Sequence, residues 1–100
     1  MDKNTINELL INISEAIGLL ETEQLEEGYC KTANSIPDIQ KFLMLLLEFG
    51  ILEEEIVMAV LTDLVEAMEQ QDVVLIIDVL NYGIRTLIQD ILKIMEEEDE

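Results

Sequence analysis

Residues 66–83 read EAMEQQDVVLIIDVLNYG. The polar QQD stands between two runs whose apolar residues recur at helical spacing, so it reads as a turn. Asp72 is placed to accept from the first free backbone N–H groups of the following helix. Upstream, Ile56, Val57, Val60, Leu61, Leu64 and Met68 form one apolar stripe. Downstream, Val73, Ile76, Ile77, Leu80, Ile84, Leu87, Ile88, Ile91 and Met95 form another. The stretch predicts two helices, one from about Glu53 to Gln70 and one from Asp72 through Ile94. Glu53, Glu54 and Glu55 fall at the start of the first, where the helix dipole favours them.

The N-terminal half has the same pattern. Thr5 and Glu8 read as a capping box that opens a first helix. Ile6, Leu9, Leu10, Ile13, Ile17 and Leu20 follow on one face, and the chain breaks at residues 21–23 with Thr22 as the next cap. A second helix carries Leu25, Tyr29, Ala33, Ile36, Ile39, Leu43 and Leu46 inward. Pro37 lies within it and lacks an N–H, so two readings are open. The helix is kinked or broken near Asn34 to Ile36, or NSIPD starts a new helix with Ser35 as cap. Gly50 ends the segment. A weak internal echo at a shift of 48 residues sets Ile36 on Ile84, Ile39 on Leu87, Leu43 on Ile91 and Leu46 on Ile94. The expected fold is all-α, a four-helix bundle of two antiparallel helical hairpins. It forms one domain over residues 1–95, and the acidic tail 96–100, at the unfavourable end of a helix dipole, frays.

Half of the 100 residues are apolar, and 23 acids against five bases give a net charge of −18. Such a chain repels phosphate, which argues against nucleic acid and anionic membrane surfaces. The charge fits solvated helix faces, basic protein partners or mimicry of nucleic acid. The most apolar window, FLMLLLEFGILEEEIVMAVL, is interrupted by Glu48, Gly50 and three glutamates, so it is not read as a membrane span. The start shows no signal-peptide pattern and the single Cys30 forms no internal disulfide; the expected location is the cytoplasm.

The residues for common chemistries are missing from this sequence. It has no histidine, hence no usual general base or triad. One cysteine cannot build a thiolate zinc site, and the glycines are scattered singles rather than a phosphate loop. No catalytic, cofactor or metal residues are assigned, no small-molecule substrate is evident, and an enzyme is not expected. Asp78 is the most unusual carboxylate, set in an apolar run. At helical spacing it shares a polar stripe with Tyr82 and Arg85. The alternative is an interior carboxylate paired with Arg85. Cys30, with only Lys31 as a basic neighbour, reads as a half-buried, inert thiol.

More apolar residues are present than one stripe per helix requires. The surplus falls at Phe42, Met44, Leu45 and Phe49, at Met58 and Val65, and at Leu75 and Val79. These positions lie beside the core stripes and form a candidate interface. They predict a homodimer with Met44 and Leu45 at or near the contact, or another protein partner.

The pattern DVVLIIDVLNYGIRTLIQDIL, with Glu27-Gly28-Tyr29 in the second helix, resembles a group of small acidic all-helical bacterial proteins that are uncharacterised. The resemblance implies a helical fold, carries no known activity and transfers no site residues. The leading expectation is a non-enzymatic protein-protein interaction module that self-associates. The alternatives are a small acidic export chaperone or adaptor holding an amphipathic segment, and an acidic mimic of nucleic acid.

Overall fold

In a computed structural model that describes residues 1–98, the chain is all-α, and no β-strand occurs among those residues. Helix α1 spans Lys3–Glu21, α2 Leu25–Glu48 and α3 Glu54–Gln70. A last rod is made of α4 (Val73–Asp78), a π-helical segment (Val79–Arg85) and α5 (Thr86–Glu98), which follow one another without a break. The end-to-end extents are 41 × 27 × 18 Å. The expected frayed tail falls partly in α5, which includes residues 96–98, while 99 and 100 lie outside the described residues.

The helix starts follow local chemistry. Asp2, rather than Thr5, caps α1: its Oδ1 accepts from the Thr5 backbone N–H and the Thr5 hydroxyl, each at 2.8 Å. The Thr5 N–H, then the Thr5 hydroxyl, hold the Asp2 carboxyl below the usual aspartate range. Asp72 caps α4 as expected, accepting from the Leu75 N–H at 3.2 Å. Thr22 closes α1 instead of opening α2, and its hydroxyl donates to the Gly18 carbonyl at 2.8 Å.

Three helix ends share one device. A residue in the left-handed region reverses the chain, and the next N–H donates back to a carbonyl five residues earlier. Gln24 N–H reaches Leu19 O, Ile51 N–H reaches Leu46 O, and Asp72 N–H reaches Ala67 O. Gly50 adopts this backbone without strain at φ 72°, whereas Glu23 and Gln71 hold it at 63° and 53° with a side chain attached.

One core cluster runs from Ile6 to Leu92. Helix α1 supplies Ile6, Leu9, Ile13, Ala16, Ile17 and Leu20, and it touches both α2 and the C-terminal rod. Its contact with α2 is the most extensive in the molecule; α2 meets α3 much less, and α3 leans on α4 and the π segment. Gly28 lets α2 approach α1, since a Cβ there would stand 2.6 Å from Leu20 Cδ2. Two salt bridges also tie α1 to its neighbours, Lys31–Glu15 at 2.8 Å and Lys3–Glu96 at 3.9 Å. Both are exposed pairs, each worth at most about 1 kcal/mol.

Helix α2 differs from its expected form. It runs through Pro37 without a break, and Ser35 is buried in its interior rather than capping a new helix. Pro37 leaves the Ala33 carbonyl without its usual donor, but both residues are exposed, so water can take that place. The inward face is also shifted. Leu25 and Ala33 are exposed, while Gly28, Thr32, Ser35 and Phe42 are buried. Thr32 and Ser35 are accommodated because their hydroxyls donate to the Gly28 and Lys31 carbonyls one turn back, at 2.7 and 2.8 Å. On α3, Ile56 is exposed and Ala67 joins Val57 and Leu64 inside.

The π segment explains a spacing in the last rod. Its buried positions are Ile76, Leu80, Ile84, Ile88 and Leu92, separated by four residues each time. In an α-helix each step of four overshoots a turn by about 40°, so four steps would drift about 160° around the rod. A π turn takes an extra residue and rotates the chain back. The Thr86 N–H accordingly donates to Asn81 O, five residues earlier. The shift of 48 residues therefore does not persist: Ile94 is exposed where Leu46 is buried.

Candidate protein-binding surface

Phe42, expected on the outer face, is fully buried in the core with Ile39, Leu43 and Leu46. Positions 39, 42, 43 and 46 form one side of α2, so Phe42 faces inward by the same helical spacing that orients its neighbours. Met44, Phe49, Met58, Val65 and Leu75 are exposed, and Leu45 and Val79 are half-buried.

Two surfaces gather several of the exposed apolar side chains, while exposed Leu75 lines neither. The first lies at one end of the molecule. Gly50 turns the chain sharply after α2, which leaves Phe49 and Ile51 projecting from the corner, 72% and 53% exposed. Ile94 of α5, 50% exposed, stands beside them across a cleft of about 440 Å³. Leu45, Leu46, Ile91 and Met95 line the cleft with Met1 and Ile6, and Glu98 is the acidic residue of its lining among the described residues.

The second surface is a groove of about 480 Å³ between α2 and α3. Met44 and Gln40 form its α2 wall; Met58, Leu61, Thr62, Val65 and Glu66 form its α3 wall. It exists because α2 commits its buried face to α1 and only grazes α3. A shallower cleft, lined by Pro37, Lys41 and Glu48, shares Met44 with the groove and Leu45 with the end surface. An apolar flank therefore continues from Val65 through Met44 and Leu45 to Phe49.

The three residues of the expected polar stripe are all outside the core. Asp78 is exposed, Tyr82 is 71% exposed and Arg85 is half-buried. No ion pair joins Asp78 to Arg85 among the described residues. Tyr82 and Arg85 belong to the π segment, and Asp78 directly precedes it. The Thr86 hydroxyl donates to the Tyr82 carbonyl in the segment. Tyr29 reaches across the molecule, its hydroxyl donating to Gln71 O at 3.4 Å. Cys30 is exposed rather than half-buried, and Asn34 Nδ2 donates to its sulfur at 3.7 Å.

Among the described residues, no group of three or more acidic or cysteine side chains is arranged to hold a metal ion. None of the described helices is long and apolar enough to cross a membrane. Sequence reasoning missed Ile51 and Ile94 as surface residues. Ile51 follows a glycine cap, a position known for an apolar contact back onto the helix, and Ile94 carried the phase error introduced by the π turn. No protein-family model matches the chain, no curated protein matches it, and no solved structure matches it.

Proposed function

We propose that this chain is a non-enzymatic protein-protein interaction module that self-associates through its apolar end surface. The observation that carries this reading is the exposure of Phe49 beside Ile51 and Ile94 over a cleft lined mainly by apolar side chains among the described residues. In this reading the helices form a bundle of two antiparallel hairpins. The connection of only Thr22, Glu23 and Gln24 between α1 and α2 supports the first hairpin, and Gln71 with Asp72 supports the second.

Covering apolar area contributes roughly 25 cal/mol per Å², and a standard interface covers about 800 Å² per partner. A two-fold contact would place the same corner of each copy against the other. The net charge of −18 opposes association, and salt screens that repulsion over about 8–10 Å. Light scattering should therefore report a dimer whose affinity rises with sodium chloride. Phe49→Glu with Ile94→Glu should give a monomer of unchanged helicity. A single-chain mass for the parent at all concentrations and salt levels would reject self-association. A dimer that survives the double substitution but not Met44→Glu with Leu45→Glu would move the contact to the α2 flank.

A further inference from the structure

We infer that the groove between α2 and α3 is a docking site for a cationic amphipathic helix. This rests on the reading of the chain as a protein-binding module but not on its self-association, because the groove and the end cleft, though joined by one flank, have no lining residue in common among the described residues. Met58, Leu61 and Val65 follow one another at steps of three and four on α3, so they form a helical ridge beside the groove. Met44 faces them from α2. A groove between two helices receives the side-chain row of a third, and methionines adapt to the shape of what enters. An extended strand would need a free sheet edge, and the described residues form no sheet.

Charge selects the partner's sign. Glu66 lines the groove, and Glu48 lines the adjoining cleft one turn from Met44. Glu55 and Glu69 lie one turn either side of the Met58–Val65 ridge, and both are exposed. Lys41, in the adjoining cleft, is the cation on this rim. The complementary ligand has an apolar stripe flanked by lysine or arginine. A second copy fits poorly here, since it offers five bases among 23 acids.

The test uses a synthetic helical peptide of 17 residues, the length of α3, with leucine at helical spacing and lysine elsewhere. One control has the same composition in scrambled order, and another has glutamate for lysine. Binding is read by fluorescence anisotropy and by methyl NMR of Met44 and Met58. The patterned lysine peptide should bind and shift both methyls. Met58→Gln with Val65→Gln, at exposed positions, should weaken it about tenfold or more, as loss of central anchors does. Glu66→Lys should weaken it as well, and Phe49→Glu with Ile94→Glu should leave it unchanged. No binding, equal binding of the scrambled peptide, or no loss in the Met58/Val65 variant would overturn the inference, since only diffuse attraction would remain. Equal binding of the glutamate peptide would remove the role of charge and overturn it too. Loss of peptide binding in the Phe49/Ile94 variant would place the peptide on the end surface, also overturning it while leaving self-association standing.

Discussion

Helix α2 and the rod from Val73 to Glu98 are close in length and both pack against α1, yet they bury their faces in different ways. In α2 the buried positions 28, 32, 35, 39 and 43 advance by four, three, four and four. In the rod, positions 76, 80, 84, 88 and 92 advance by four throughout. The first two pairs stand 48 residues apart and the last three 49, so the rod holds one residue more than α2. The π segment lies where that residue enters. Each arm thus contains one backbone irregularity, with a different consequence. Pro37 removes a hydrogen bond on the wet side of α2 and leaves the count of residues unchanged. The π segment changes the count and keeps the face. A helix absorbs an extra residue by locally widening its turn, at the cost of regular hydrogen bonding over one turn.

The largest expected effect comes from shortening the arm that has no spare residue. Deleting exposed Gln40 would rotate Phe42, Leu43 and Leu46 by about 100° relative to the preceding half of α2. Phe42 would take the exposed place of Lys41 and Leu46 the half-buried place of Leu45, while Leu43, Met44 and Leu47 would enter the core places of Phe42, Leu43 and Leu46 with the wrong shapes. About 1.5–3 kcal/mol for exposing Phe42 and about 1–3 kcal/mol for each misfit together rival the stability of about 5–15 kcal/mol of a small domain. The variant should show no cooperative melting transition by circular dichroism. A melting curve close to the parent's would mean that α2 can also change its turn, and the contrast between the arms would fail.

A smaller effect, of opposite sign, is expected at Pro37. A proline inside a helix costs about 3 kcal/mol, and replacing it gives back roughly 0.4–1 kcal/mol of unfolded-state freedom. Pro37→Ala should therefore stabilise the protein by about 2 kcal/mol in urea unfolding. Destabilisation instead would show that the missing bond is part of how α2 curves onto α1.

The smallest effect is expected where the spare residue lies. Deleting Tyr82, which projects into solvent from the π segment, should let the rod become a continuous α-helix with the spacing of α2. Ile76, Leu80, Ile84, Ile88 and Leu92 would keep their places in the core. Stability should stay within about 1 kcal/mol of the parent, with the crystal structure showing i to i+4 bonding throughout. If this deletion unfolds the chain as the Gln40 deletion does, the π turn is not an absorbed insertion.

Several elements were legible because their causes are local. Asp72 as cap, the acidic first turn of α3, and Gly50 after α2 each depend on residues within one turn. The surface was less legible. Met44, Met58 and Val65 were visible as surplus apolar positions, but Phe42 was grouped with them because FLML reads as apolar all round. Which two of those four residues face α1 depends on where the rest of α2 docks.

The sequence by itself determined that the chain is helical, where most helices begin and end, and that little common side-chain chemistry is available to it. Those properties follow from residue type and from spacing along one helix. Only the tertiary structure decided that Gly28, Thr32 and Ser35 make the seam with α1. A small residue is buried because another helix comes close, and its hydroxyl is satisfied within its own turn. The π segment was settled at the same level. Five core positions four residues apart must all face the core beside α1, and that demand, absent from an isolated helix, selects a wider turn in the middle of the rod.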